Sequence, residues 1–301
     1  MTTAGPSTVP RGGASPARFS RASVLTAIGV GPFALFALLF LLLPTSNLLI
    51  GAFQDAEGHP TFANIVGLMT PSVISAFRVS ITISAASAVL GAAAGLAVAL
   101  ALRGDAVPRV IRQAVLTLSG VTSNFAGVPL AFAFLATLGR TGLVTAILKS
   151  WFGVDLYDGG FNLLSIVGLT FTYLYFQMPL MVLVIMPAVE GLKRDWAEAA
   201  AMLGASPAQF TLRIVAPVLA PNVIGAALLL FANAFGAVAT AYALTGSSIN
   251  LVTILLFAQI RGDVLHDPNL GYALALGMVV VTGLCNVAYL RLRAFSDRRL
   301  R

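Results

Sequence analysis

A chain of 301 residues in which 58% of side chains are hydrophobic and only 10% are charged carries too little polar surface for a water-soluble domain. Its net charge of +7 raises nucleic-acid binding, but the basic residues sit in short segments between long uncharged runs, which points to a membrane instead. The single cysteine, Cys285, excludes a disulfide framework and a multi-cysteine metal site within the chain.

Residues 1–22 are rich in Pro, Gly, Ser and Thr, carry Arg11, Arg18 and Arg21, and are expected to form a disordered basic tail. The apolar segment that follows, 24–50, is too long for a cleavable secretory signal and reads as a first span, with Pro32 and Pro44 tolerated as in other membrane helices. A polar loop with Asp55, Glu57 and His59 leads to a second span over 72–102. Ser80, Ser84, Ser87, Gly91 and Gly95 place small residues at helical spacing there, so another backbone can approach closely. Arg103, Arg109 and Arg112 mark a return to the charged side.

From there an interfacial segment to about residue 119 is expected, then a third span from 122 to 138, interrupted by Asn124, Gly127 and Pro129. The apolar stretch 143–154 is flanked by Arg140 and Asp155 and is expected to lie in the membrane interface. The fourth span is 163–189, the polar loop 190–217 follows, and the fifth span is 218–244. Residues 250–260 fall short of the ~20 needed to cross and read as an outer re-entrant or surface helix. A sixth span, 270–290, precedes a basic tail at 294–301, so the membrane domain is 23–293. With both ends inside, only Arg78, Arg140, Lys149 and Arg261 of the 18 basic residues fall outside, the bias expected of an inner membrane protein. A seventh span would strand the C-terminal arginines on the outer side. The fold class is therefore all-α integral membrane, with six transmembrane helices and both termini cytoplasmic.

The loop 190–217 is the polar interruption around which the spans are arranged. Asp195 is expected to cap a short helix, with Glu198 reaching back as in a capping box, and Gly204 to end it in the left-handed conformation. Ser206, followed by Pro207 and then Gln209, is the N-cap of a second short helix. Two stop-start signals so close together make a compact hairpin suited to docking.

The spacing Glu198-Ala199-Ala200, three residues, Gly204, nine residues, Ile214, one residue, Ala216-Pro217 resembles the EAA loop of permease subunits of binding-protein-dependent ABC importers, with Ala216 where that pattern has Leu. The stretches Tyr175-Phe-Gln-Met-Pro179-Leu, Glu190-Gly-Leu and Leu265-His-Asp-Pro-Asn-Leu-Gly271-Tyr extend the resemblance over about 24–293, and they are similar to the spermidine/putrescine branch. The resemblance implies a type I (MetI-like) permease fold. It also implies a coupling loop, carried by Glu198, Ala199, Ala200, Gly204, Ser206, Ile214 and Pro217, that seats on a cytoplasmic ATPase. Its implied partners are two ATP-binding subunits, a second permease, identical or not, and an extracytoplasmic substrate-binding protein. Polyamine is the cargo of that branch, which also includes iron, thiamine and aminoalkylphosphonate importers.

The residues themselves carry no catalytic constellation. No carboxylate lies in the middle of a span, so an ion-coupled secondary transporter would lack its usual relay, and no glycine-rich phosphate loop is present. The chain is expected to be no enzyme and to hold no cofactor or metal of its own; ATP would be bound by a partner. Asp263, His266 and Asp267 read as a solvated loop before a metal site. Asn124, Tyr173, Tyr175, Gln177, Asn233 and Tyr242 are candidates for the translocation path, though residue by residue the more ordinary use is a hydrogen bond between helices or, for the tyrosines, an interfacial belt.

Overall fold

The computed structural model describes residues 21–104, 107–261 and 267–299. The tail residues 1–20, and Asp263 and His266, lie outside the described residues. The chain divides into two units, Met1–Ile50 and Gly51–Arg301. Helix α1 (Arg21–Ala37) passes through a π-helical turn, Leu38–Leu42, into α2 (Leu43–Gly51). Leu43 donates its N–H to the carbonyl of Leu38, five residues back. The cause is Pro44: it has no N–H to give, its ring would strike the carbonyl of Phe40, and a wider turn relieves both.

In the second unit a short α3 (Ala63–Gly67) precedes α4 (Pro71–Leu102), then α5 (Arg109–Asn124), α6 (Val128–Leu138) and α7 (Leu143–Phe152). After these come α8 (Ile166–Glu190), α9 (Arg194–Met202), α10 (Pro207–Phe210), α11 (Ala216–Phe235), α12 (Val238–Thr245), α13 (Val252–Arg261) and α14 (Pro268–Arg299). Among the described residues six stretches are long and apolar enough to cross a bilayer: Gly29–Gly51, Pro71–Leu102, Val128–Phe152, Ile166–Glu190, Pro207–Phe235 and Pro268–Leu292. The expected six-span architecture is the observed one.

Helix α4 lies along α8, and α11 packs on both α4 and α14. The seam between α4 and α8 depends on missing side chains. A Cβ on Gly91 would stand 2.7 Å from Cβ of Gln177, and one on Gly95 would stand 2.5 Å from Cβ of Met181 and 2.6 Å from the carbonyl oxygen of Met178. Ser80, Ser84 and Ser87 are buried along the same helix, Ser87 donating to the Ser84 carbonyl at 3.2 Å. The small-residue stripe read in the sequence is therefore a real line of close approach.

Two spans are broken, the third within the interruption read from Asn124, Gly127 and Pro129 and the fifth where a continuous helix was expected. The third stops at Asn124 and restarts at Val128, through Gly127 at φ +78°. The fifth stops at Phe235 and restarts at Val238, across Gly236 and Ala237. At 1.5 Å per residue α6 is only about 16 Å long, roughly half a bilayer core, so α6 alone does not make the third crossing. Tyr157, five residues past the end of α7, donates its hydroxyl to the Leu138 carbonyl at 2.9 Å, bringing the chain back to the end of α6. The return loop is clipped by Lys149 and Asp155 at 2.8 Å. The hydrogen bond from Lys149 holds the Asp155 carboxyl below its ordinary range. That contribution is present at neutral pH and fades as pH falls through the lowered carboxyl value; in so exposed a pair it is small.

Helix α13 has only 10 residues, too short to cross. Asn250 Nδ2 donates to the Ser72 carbonyl at 2.8 Å and the Val252 N–H donates to Ser80 Oγ at 2.9 Å, which pins α13 to the start of α4. Asp267 caps α14, its Oδ1 accepting the N–H groups of Asn269 at 3.1 Å and Leu270 at 3.0 Å, a structural use that needs no metal.

Candidate coupling loop and membrane crevice

The loop between α8 and α11 folds as two short helices, as its stop and start signals require. The first end is built by Gly204 at φ +76°. The N–H of Gly204 reaches the Ala201 carbonyl and that of Ala205 reaches the Ala200 carbonyl, both at 3.0 Å, which is the paired bonding of a Schellman stop. The second start is a complete capping box: the Gln209 N–H donates to Ser206 Oγ at 3.2 Å and the Ser206 N–H donates to Gln209 Oε1 at 2.9 Å, with Pro207 at the first helical position. Ser206→Ala should therefore weaken α10 by about 1 kcal/mol, read as faster amide exchange at Gln209 and Phe210 with the spans unaffected.

One expectation here is corrected. Asp195 does not cap α9. The helix begins at Arg194, its N-cap is Lys193 in an extended conformation, and no side chain caps it. Asp195 sits inside the first turn, where its charge still favours the positive helix end. Glu198 is consequently not consumed by a capping box. It lines a crevice of about 680 Å³ with Arg103, Arg112, Glu190, Leu192 and Arg194.

Of the other loop residues, Ala199 is exposed and Ala200 is buried. Met202 and Leu203 are 90% and 88% exposed, an apolar tip presented by a polar hairpin. Ile214 lies half-buried in a second π-helical turn, Thr211–Val215, and Pro217 follows at the start of α11. The Ala216 N–H reaches back to Thr211, and the cause is again a proline next in line.

A second crevice, of about 420 Å³, opens where the two broken spans meet. Ser123, Ala126 and Gly127 line it from one break and Asn233, Gly236, Ala237, Val238 and Thr240 from the other. The breaks are stitched together, the Gly127 N–H donating to Thr240 Oγ1 at 2.7 Å. Tyr173 stands behind, buried, with its hydroxyl donating to the Ala237 carbonyl at 2.8 Å. Helices α6 and α12 begin at this crevice and α5 and α11 end at it, so positive and negative helix ends meet there in equal number, and no residue lining it is charged.

The path candidates divide by position. Asn233 lines the crevice, and Asn124 lies beside it with Nδ2 donating to the Gly120 carbonyl at 2.9 Å. Tyr175 is partly exposed and meets the rings of Phe125 and Phe134 edge-on. Gln177 is fully buried between α8 and α11, with Nε2 donating to the Leu230 carbonyl at 2.8 Å. Tyr242 packs on Phe257 at 5.2 Å and is not among the residues lining the crevice. Thr240 and the Gly236–Ala237 break went unread in the sequence; Gly236, in a long uncharged run, was the signal for the second.

Comparison with known proteins places this architecture. A family model described as binding-protein-dependent transport system inner membrane component matches residues 91–301. The chain belongs to that family. It is an ABC importer permease, a transport subunit, and a multi-pass protein of the cell inner membrane. The molybdenum transport system permease protein ModB of Mycobacterium tuberculosis is 30% identical over 220 residues, 72% of this permease and 78% of that protein. The spermidine/putrescine transport system permease protein PotB of Haemophilus influenzae is 30% identical over 128 residues, 42% and 43% of the respective chains. A solved bacterial ABC transporter involved in the import of the acidic polysaccharide alginate matches with a TM-score of 0.70, over 93% of this permease and 97% of that chain, at 20% identity. That likeness carries the fold of the permease and not its cargo. The polyamine branch is not singled out by these relatives.

Proposed function

We propose that this permease is the gate and lever of an ATP-driven importer whose cargo is a small tetrahedral oxyanion of the molybdate class. The α9–α10 hairpin seats on a cytoplasmic ATP-binding subunit, Met202 and Leu203 entering its groove. Two such subunits, a second permease and an outer binding protein complete the machine, and both termini of this chain face the cytoplasm. ATP hydrolysis belongs to the partner.

The observation that carries the cargo class is the crevice at the two broken spans. Its lining is uncharged, its polar groups being the hydroxyls of Ser123 and Thr240, the amide of Asn233 and the backbone of the two breaks. A polycation would find no carboxylate on the lining residues to pair with, while a small oxyanion needs only hydroxyl, amide and backbone donors of the kind present there. The breadth of the likeness to the molybdenum permease points the same way. The likeness to PotB, over a shorter stretch, favours polyamine as the second reading.

Uptake of labelled molybdate, sulfate, spermidine and putrescine in cells carrying the complete transporter decides between them. Molybdate or sulfate uptake, abolished by Glu198→Lys with membrane insertion intact, is the expected result. Uptake of spermidine alone moves the assignment to polyamine. Unchanged uptake in the Glu198→Lys variant removes the coupling role from α9.

A further inference from the structure

The inner crevice and the membrane crevice are joined by one helix, and two arginines attach that helix to the coupling hairpin. We propose that Arg103 and Arg112 are positioning residues that tie α9 to the gate-bearing helix α5. The inference rests on the permease reading above and adds to it the route by which the hairpin moves the gate.

The joint is built from carbonyls that helices leave unsatisfied at their ends. Leu102 is the last residue of α4, and Arg112 of α5 donates both Nε, at 3.0 Å, and Nη2, at 2.7 Å, to its carbonyl oxygen. A guanidinium fork closed on one oxygen fixes orientation as well as distance, which a flexible ammonium does not do. The next residue, Arg103, donates Nη2 at 2.9 Å to the carbonyl of Leu192, which lies in the turn immediately ahead of α9. Leu102 and Leu192 are both buried in the same apolar cluster, with Trp196 of α9 packed against it, so the polar ties are held in place by packing. The sequence of parts is then α9, Leu192, Arg103, Leu102, Arg112, α5.

Helix α5 carries the displacement onward. Its 16 residues make a rod of about 24 Å, lying against α8. Its far end supplies Ser123, and the break after it supplies Ala126 and Gly127, to the membrane crevice. The Gly127 N–H in turn holds Thr240 of the opposite break. A shift of the hairpin that moves Leu192 therefore reaches both broken spans through hydrogen bonds and one rigid helix. A packed interface of this kind switches between discrete arrangements instead of deforming smoothly.

The test needs no knowledge of the cargo. Spin labels on Ala126→Cys and Ala239→Cys, with Cys285→Ser, report the distance across the crevice in the complete transporter with its ATPase subunits, with and without ATP under non-hydrolysing conditions. Both labelled positions line the crevice. In the parent complex the distance distribution is expected to shift on ATP binding. In Arg103→Ala and in Arg112→Ala the ATPase should still co-purify and bind ATP, while the shift falls to less than a third. The double variant should be no worse than the worse single one, as members of one linkage require. Arg103→Lys, which keeps one donor, should recover part of the shift. An undiminished shift in both alanine variants overturns the tie; so do independent losses that multiply in the double variant, because they place the two residues on separate routes. A parent complex that holds no ATPase overturns the permease reading itself, and this inference with it.

Discussion

Gly95→Leu is expected to abolish recovery of folded permease, the largest single-residue effect anticipated in this fold. At Gly95 even the first added carbon would lie 2.6 Å from the carbonyl oxygen of Met178, and that oxygen belongs to the α8 backbone. A side chain can rotate away from an intruder, but a helix backbone cannot. Leucine would force α4 and α8 apart and open the cluster that Ala92, Ala99, Met181 and Ile185 close between them. Adding one methylene to a packed core costs roughly 1–3 kcal/mol, and here a whole isobutyl group enters a space that refuses its first atom. The measurement is the yield of monodisperse protein in mild detergent together with its melting temperature. Gly283→Ala in α14 is the control: nothing lies within 4 Å of the added carbon there, so yield and melting should match the parent. If Gly95→Leu behaves like Gly283→Ala, the seam is not where the stability resides.

That seam shows what kind of information a sequence carries about such a fold. Gly91 and Gly95 sit on one face at helical spacing among serines, and in lipid the requirement for close packing leaves this direct mark on composition. The two short hairpin helices were equally legible, since Gly204, Ser206, Pro207 and Gln209 act on their immediate neighbours. The failure at Asp195 has the same root. An aspartate can cap a helix or decorate its first turn, and the choice depends on where the chain leaves Leu192, whose carbonyl is fixed by an arginine 89 positions earlier.

The membrane crevice was the least legible part. Both spans that form it are uncharged, so hydropathy reports two crossings; Asn124, Gly127 and Pro129 mark the first interruption without giving its geometry, and the second carries no such mark beyond Gly236. What holds the breaks is long-range: Gly127 to Thr240 across 113 positions and Tyr173 to Ala237 across 64. Of the polar residues singled out in the spans, Tyr173 and Gln177 spend their donors on backbone carbonyls between helices, and Asn233 faces the crevice. Composition cannot separate these uses, because a polar group in lipid must find a partner whichever use it serves.

Gly204→Val should leave the permease inserted and folded but lower ATP-driven uptake by at least tenfold. No atom lies within 4 Å of the position a Cβ would take, so the substitution meets no steric neighbour. The effect must come from the backbone. At φ +76° an L-residue is disfavoured by about 1–2 kcal/mol, and a β-branched one by more. Escape to negative φ breaks the bonds from Gly204 to Ala201 and from Ala205 to Ala200, and it rotates the capping box at Ser206 away from α9. The exposed tip of Met202 and Leu203 would then be offered at the wrong angle to whatever groove receives it. Asparagine, the side chain best suited to the left-handed region after glycine, separates shape from contact. Gly204→Asn should retain most uptake and Gly204→Ala should fall between. Equal loss in Asn and Val would mean that the groove closes on the bare glycine itself; full uptake in Val would mean that the angle between the two short helices is not what transmits the stroke.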